Sequence, residues 1–280
     1  MVIKEALKKS IELLEENNIE ESMLKAKIIL ANLLSKPKEY LFINEKEKLD
    51  KQVEESFFEK INELCNNVPL QYLTNSQEFY GLNFYVNNDV LIPRSDTEIL
   101  VEEVIKHIKN IKNVENNIKI LDMCTGSGII AIILAKYCEN VNITAVDKSE
   151  EALNVAIKNA KIHNVYEKIN FMKSDMFENL KNKYNIIVSN PPYIEREVIN
   201  TLSKDVQNEP KMALDGGIDG LEFYKIIEKN TEKFLEKGGE IFLEIGYNQK
   251  NSVSQIFSKK FDSINCIKDL NGLDRVVILK

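Results

Sequence analysis

The chain has 280 residues, 44% of them hydrophobic and 29% charged, enough to bury a core in one large domain or in a large domain with a small companion. Its net charge is -7, and only Arg94, Arg196 and Arg275 among its 37 basic residues are arginine, a balance that argues against a protein gripping many phosphates. No apolar run approaches the roughly 20 residues of a membrane span, and Cys65, Cys124, Cys138 and Cys266 lack the spacing of a zinc site or disulfide framework.

From the start, MVIKEALKKSIELLEENN is amphipathic and acid-bearing, unlike a secretory signal, so a cytoplasmic protein is expected. Val2, Ile3, Ala6, Leu7, Ile11 and Leu14 recur at helical spacing. Leu24, Ile28, Ala31 and Leu34 continue the pattern up to Pro37, and Val53, Phe57, Phe58, Ile61 and Leu64 mark a helix over about 47–65. This predicts an all-helical N-terminal domain over residues 1–74. Residues 1–70 hold 11 Lys against 14 Asp or Glu, which speaks against an RNA-binding arm.

QEFYGLNFYVNNDVLIPRSD (77–96) is aromatic and β-branched, broken by Gly81 and Asn87-Asn88, and reads as a β-hairpin linker within 75–96. Beyond it, residues 97–280 alternate strands with helices. Strands are expected at 119–124, 143–147, 170–175, 185–190 and 240–246. Helices are expected near 128–138, 149–163, 220–237 and 249–259. Such alternation signals an α/β fold with a parallel sheet covered on both faces. Two final strands, 262–268 and 275–280, joined by DLNGLD, fit an antiparallel hairpin at the sheet edge. His107 and His163 fall in helical patterns and read as solvent-facing imidazoles, which leaves histidine triads and metal clusters without candidates.

The first of these strands runs into DMCTGSGII (122–130), where Gly126 and Gly128 allow a sharp turn and close approach of a ligand to a helix N-terminus. It departs from the G-x-G-x-x-G dinucleotide fingerprint and from a phosphate-cradling loop, and by itself also fits a plain strand-to-helix turn. The second strand ends in Asp147, placed to accept ribose hydroxyls or, alternatively, to cap the next helix in competition with Ser149. The third ends in Asp175, Met176 and Phe177, an acceptor beside apolar surface that suits an adenine, or a turn with two core residues. Together they describe a nucleoside site without a phosphate requirement, which suits S-adenosylmethionine better than NAD or ATP.

The fourth strand ends in Asn190-Pro191-Pro192-Tyr193, beside the crevice where parallel α/β sheets bind ligands. A planar amide or aromatic amino nitrogen is a poor nucleophile because its lone pair is delocalised. The Asn190 side-chain oxygen can accept one N–H of such a group and the Pro191 carbonyl the other, while two proline rings stiffen the backbone. Tyr193 offers a flat surface for substrate. A rigid Asn-Pro turn is the plainer alternative.

These stretches resemble the release-factor glutamine methyltransferases of the HemK type over essentially the whole chain. The resemblance is carried by VSNPPYI together with PLQYLTNSQEFYGLNFYV (69–86), VLIPRSDTEILVE (90–102), ILDMCTGSGIIAI (120–132), EPKMALDGGIDGLEFY (209–224), LEIGYNQ (243–249) and DLNGLDRVV (269–277). It implies a class I, Rossmann-like methyltransferase sheet behind a helical domain that recognises the substrate. The implied activity is S-adenosylmethionine-dependent methylation of N5 of the glutamine in the Gly-Gly-Gln motif of peptide chain release factors, leaving S-adenosylhomocysteine. The resemblance assigns Cys124, Thr125, Gly126, Ser127, Gly128, Asp147, Asp175, Met176 and Asn190 to the cofactor, and Asn190, Pro191, Pro192 and Tyr193 to catalysis and the glutamine slot. Pro93, Arg94, Thr97 and Glu98 form a further block near the pocket, with a role in joining domains as the alternative.

A monomer without metal, membrane or stable nucleic-acid partner is expected. NPPY is shared with methyltransferases acting on exocyclic amino groups of DNA or RNA, which form the alternative reading. Three positions depart from the family pattern: Cys124 stands for a glycine, Met176 for a frequent Trp and Ser95 for a frequent Pro, the first two bearing on cofactor packing.

Overall fold

The computed structural model describes residues 1–111 and 117–280, which divide into two compact units: residues 1–76 with 203–208, and residues 77–202 with 209–280. Among the described residues no helix is long and apolar enough to cross a membrane.

The first unit is helical: α1 (Ile3–Glu16), α2 (Ser22–Leu34), α3 (Lys38–Ile43), α4 (Lys51–Cys65) and α5 (Leu70–Thr74), joined by a single helical turn, Lys204–Gln207, from far along the chain. Asn208 fastens that turn by donating its Nδ2 to the Asn67 carbonyl at 2.8 Å. α1 buries Ile3, Ala6, Leu7 and Leu14 at the spacing expected. Asp50 caps α4 by accepting from the Gln52 amide at 2.8 Å. α2 turns inward a face only partly the one expected. Ala31 is buried as expected, but Leu24 is exposed and Ala26, Ile29 and Leu30 are buried, because this helix is apolar around most of its surface and its periodicity singles out no side.

The second unit begins with a hairpin of β1 (Gln77–Phe79) and β2 (Leu82–Phe84), turned at Tyr80-Gly81 with φ of 52° and 70°. The hairpin expected to span 77–96 ends at Phe84. After it, the Asn87 side chain accepts from the Asp89 amide at 3.2 Å in a local turn, and Pro93 cannot donate to a ladder. Phe79 and Phe84 are buried in the core of this unit.

There follow α6 (Thr97–Asn110), β3 (Ile118–Met123), α7 (Ile129–Tyr137), β4 (Val141–Asp147), α8 (Glu150–Ile162), β5 (Ile169–Lys173), β6 (Tyr184–Ser189), α9 (Glu222–Phe234), β7 (Leu235–Glu244), α10 (Lys250–Phe257), β8 (Ile264–Lys268) and β9 (Asp274–Leu279). The strand order is β5-β4-β3-β6-β7-β9-β8, parallel from β5 to β7, with β9 antiparallel to both neighbours. This is the mixed α/β architecture of a class I methyltransferase sheet. The helix expected over 220–237 stops at Phe234, where Leu235 opens β7. A register shift between Tyr184 and Ile186 accommodates Gly238 and Gly239, the latter so close that a Cβ would meet the Asn185 carbonyl oxygen at 2.8 Å.

Alternation along the strands sorts the core into two faces. Ile120, Ile143, Ile186 and Val188 pack with α6 and α7, whereas Leu121, Met123, Val146 and Ile187 pack with α9 and α10. Neither histidine faces solvent as expected. His107 Nδ1 lies 3.3 Å from Glu240, and His163 Nε2 lies 3.0 Å from the Asn83 carbonyl with its ring against Phe84. Burial lowers the pKa of both. All four cysteines are free.

Chain connections run outward in opposite directions from β3 and β6, which makes their carboxyl ends the switch point where ligands of open α/β sheets bind. The two ends are held level: Met123 pairs with Ser189, whose Oγ donates to the Met123 carbonyl at 2.7 Å.

Candidate active site

At this switch point lies a cavity of about 420 Å³ walled by the loops after β3, β4, β5 and β6. The loop after β3 turns through Cys124, Gly126 and Gly128, all in the left-handed region with φ of 61°, 53° and 83°. For Cys124 that conformation is strained by about 1 kcal/mol, which a glycine would avoid. Gly128 admits no substituent, since a Cβ there would stand 2.9 Å from the Ala156 Cβ and 3.1 Å from its Cα. Gly128 also occupies the N-cap of α7 and has no side chain with which to cap it.

Asp122 takes that part from inside β3. Its Oδ2 accepts from the Ala131 amide at 3.2 Å and from the Thr125 hydroxyl at 2.6 Å, while Oδ1 is buried with no hydrogen-bond partner. Burial pushes Asp122 up to about 7. Asn159 braces the same loop, its amide nitrogen donating to the Ser127 and Tyr85 carbonyls, each at 2.9 Å.

Asp147 ends β4 with one carboxylate oxygen accepting from the Gly126 amide at 2.9 Å and the other from the Ser149 amide at 3.0 Å. Capping of α8 falls to Ser149, whose Oγ accepts from the Ala152 amide at 3.0 Å, so the remaining lone pairs of Asp147 stay available at the cavity wall. Burial raises its pKa. Asp175 pairs with Lys148 at 2.5 Å. Met176, at φ 48°, packs its sulfur 3.8 Å from the Cys124 thiol, whose pKa burial raises strongly.

The walls suit a nucleoside without phosphates. Each cationic side chain among the described lining residues is already paired: Lys148 with Asp175, Arg94 with Glu209 and Arg196 with Asp215. Carboxylate acceptors and the apolar surfaces of Met123, Ile129, Ile130 and Met176 remain, a lining that fits S-adenosylmethionine.

On the other wall stand Asn190 and Pro192. The backbone that carries them is clamped by two distant segments. Ile194 bonds to Leu214 and Gly216 in a parallel bridge, with N–H···O distances of 3.1 and 2.8 Å. Gln249 donates its Nε2 to the Tyr193 carbonyl at 2.9 Å and to the Gly220 carbonyl at 3.2 Å, while its Oε1 accepts from the Gly246 amide. Gly220 has to be glycine here, since at φ 68° a Cβ would come within 2.5 Å of the Tyr193 carbonyl oxygen. These contacts explain the ALDGG-x-DGL and LEIGYNQ blocks: they shape the turn after β6.

The block around Pro93 is accounted for in the same way. Glu209, buried, accepts from the Ile92 amide at 2.9 Å and pairs with Arg94, and Glu98 accepts from the Tyr80 amide at 2.7 Å. Thr97 accepts at its Oγ1 from the Asn190 Nδ2 at 3.1 Å. The Tyr193 hydroxyl donates to Oε1 of Glu244, the last residue of β7, at 3.3 Å. Tyr193 therefore turns its phenol toward this buried acid, and burial with the nearby carboxylate raises its pKa strongly.

The cavity wall thus gathers Cys124, Thr125, Gly126, Ser127, Asp147, Asp175, Met176, Asn190 and Pro192 from the expected set. Gly128, Pro191 and Tyr193 stand behind it. Asp122, Asn159 and Glu244 are supports outside the expected set, whereas Thr97 falls in the block expected near the pocket; the one visible signal for the others is an acid inside the otherwise apolar strand KILDM.

Comparison with known proteins matches the methyltransferase small domain family at residues 96–217 and the PrmC N-terminal domain family at residues 5–74. A release factor glutamine methyltransferase of Clostridium botulinum is 39% identical over 282 residues, covering 99% of this chain and 98% of that protein. One of Clostridium acetobutylicum is 39% identical over 283 residues with the same coverage. Among solved structures, the hMettl16 catalytic domain bound to an RNA hairpin superposes with a TM-score of 0.58 at 14% identity, covering 90% of this chain and 92% of that one. A Thermus thermophilus 16S rRNA methyltransferase with AdoMet and guanosine gives 0.52 at 17% identity, covering 73% and 49%. These structural likenesses share the fold.

Proposed function

This chain belongs to the release factor glutamine methyltransferase family and is an S-adenosylmethionine-dependent methyltransferase, and we propose that its acceptor is the side-chain nitrogen of the glutamine in the Gly-Gly-Gln motif of peptide chain release factors. The observation that carries this reading is the orientation of Asn190: its nitrogen is committed to Thr97, so its oxygen is the end left for the N–H of an incoming amide.

S-adenosylmethionine supplies a methyl group on a sulfonium, activated enough that no strong base is needed before transfer. Asp147 would hold the ribose, Asp175 and Met176 the adenine, and the loop from Cys124 to Gly128 the remainder. Asn190 Oδ1 accepts one N–H of the glutamine side chain and turns its nitrogen toward the cofactor wall, while Pro191, behind that wall, stiffens the turn that carries the acceptor. As the N–C bond forms and the C–S bond breaks, the nitrogen becomes cationic. Its proton then leaves to solvent. The clamp by Gln249, Gly216 and Gly220 means that the acceptor geometry exists before substrate arrives, so little binding energy is spent on arranging it.

The test is methyl transfer from labelled S-adenosylmethionine to a purified release factor, with a single-stranded oligonucleotide as competitor. Label on the Gly-Gly-Gln glutamine, unaffected by the oligonucleotide, is the expected result. Label on the nucleic acid alone would overturn the assignment.

A further inference from the structure

We propose that Tyr193 is a positioning residue that acts through its hydroxyl: by donating to the buried acid Glu244 it anchors the turn that carries Asn190, and its ring gives no face to the substrate. This rests on the role given to Asn190 above. It departs from the place in the glutamine slot that the family resemblance implies for Tyr193.

Pro191 and Pro192 have no N–H, so half of the residues from Asn190 to Tyr193 cannot donate a main-chain hydrogen bond, and the geometry of the turn has to come from its two ends. At the near end Ser189 is the register partner of Met123 and donates its Oγ to the Met123 carbonyl at 2.7 Å. At the far end Tyr193 is held twice. Its carbonyl accepts from Gln249 Nε2 at 2.9 Å, and its hydroxyl donates to Glu244 Oε1 at 3.3 Å.

Both parts of the Tyr193 side chain are engaged within the protein. The ring packs against the apolar cluster between the sheet and helices α9 and α10, and Asn190 and Pro192 form the cavity wall in front of it. Glu244 is a fixed anchor, 1% exposed at the end of β7, where it is the register partner of Val276 and its carbonyl accepts from the Tyr224 hydroxyl at 2.8 Å. The residue before it, Leu243, is the register partner of Ser189. The phenol therefore ties the far end of the turn back to the sheet beside the strand from which the turn departs, and Asn190 is held between two fixed points.

The experiment uses the full chain, S-adenosylmethionine and a release factor as methyl acceptor. Tyr193→Phe keeps the flat ring and deletes only the hydroxyl, so it separates an anchor from a stacking surface. A kcat loss of roughly 10-fold or more is expected, with the cofactor Kd and the release factor KM each changed by less than about twofold. Glu244→Met removes the acceptor at similar side-chain length and should lower kcat to a similar degree. Because both act through one hydrogen bond, the losses should not multiply: kcat of the double variant should stay within about threefold of the slower single one.

Wild-type kcat in Tyr193→Phe, or a raised release factor KM in place of a lowered kcat, would overturn the anchor while leaving the activity assigned. Losses that multiply in the double variant would do the same. Should Glu244→Met not fold, Tyr193→Phe decides alone through the division of its effect between kcat and KM. A wild-type protein that methylates no release factor would overturn the reading of Asn190 and the anchor with it.

Discussion

Gly216 lies against the backbone of Tyr193 so closely that a Cβ at position 216 would stand 2.7 Å from the Tyr193 Cα and 2.9 Å from the Pro192 carbonyl oxygen. Both atoms belong to the main chain, so relief requires the turn after β6 to move. Gly216→Ala should therefore lower kcat roughly 10- to 100-fold by shifting the Asn190 acceptor proposed above, with S-adenosylmethionine affinity kept. Steady-state kinetics and calorimetric titration of the cofactor check this, and an unchanged kcat would show that the turn yields without effect.

On the role proposed for Asn190, truncating it removes an acceptor whose geometry matters during transfer. Asn190→Ala should reduce kcat by about 100-fold or more while the cofactor Kd rises by no more than a few fold. Equal losses in both constants would assign the side chain to cofactor binding instead.

Asp147 offers a half-buried carboxylate whose two backbone bonds leave lone pairs toward the cavity. Asp147→Asn loses the charge on those acceptors, worth about 1.5–3 kcal/mol for hydrogen bonds to an ionised group, so the Kd should rise roughly 10- to 100-fold. Isothermal titration measures it; a Kd within twofold of wild type would remove Asp147 from the ribose site.

Asp122 and Glu244 are both raised by burial to about 7, from ordinary values of 3.8 and 4.5. The folded state holds these protons more tightly than the unfolded chain does. Their contribution to stability is thus complete below the ordinary values and is lost as pH climbs through about 7. Tm should be higher at pH 6 than at pH 8. Asp122→Asn, which cannot ionise, should narrow the difference; a difference as wide as that of wild type would mean that Asp122 does not titrate there.

The strands and the residues at their carboxyl ends were readable in the sequence because both depend on local pattern. Short apolar runs alternate with amphipathic helices, and Asp147, Asp175 and Asn190 each interrupt a run where it leaves the sheet. What escaped reading depends on partners far apart in the chain. Thr97 meets Asn190 across 93 positions and Tyr193 meets Glu244 across 51, and nothing local in DTEIL or FLEIG announces either contact. The inward face of α2 was misread because a helix apolar on most sides has no preferred stripe. The β-hairpin was drawn too long because aromatic and β-branched residues past Phe84 are buried without pairing: Val86, Val90 and Ile92 fill core rather than extend a ladder. His107 and His163 were placed outside because the residues near them in sequence are polar, whereas Glu240 and Phe84 approach from other elements.

Because Met123 and Ser189 are register partners on adjacent strands, the donor and acceptor loops depart from the sheet one interstrand repeat apart, about 4.8 Å. The spacing between the two loop bases is consequently inherited from the spacing of backbone amides, a length that no side-chain substitution in either loop can stretch. Evolution can repaint the walls of such a crevice for another flat nitrogen while the ruler beneath stays the same.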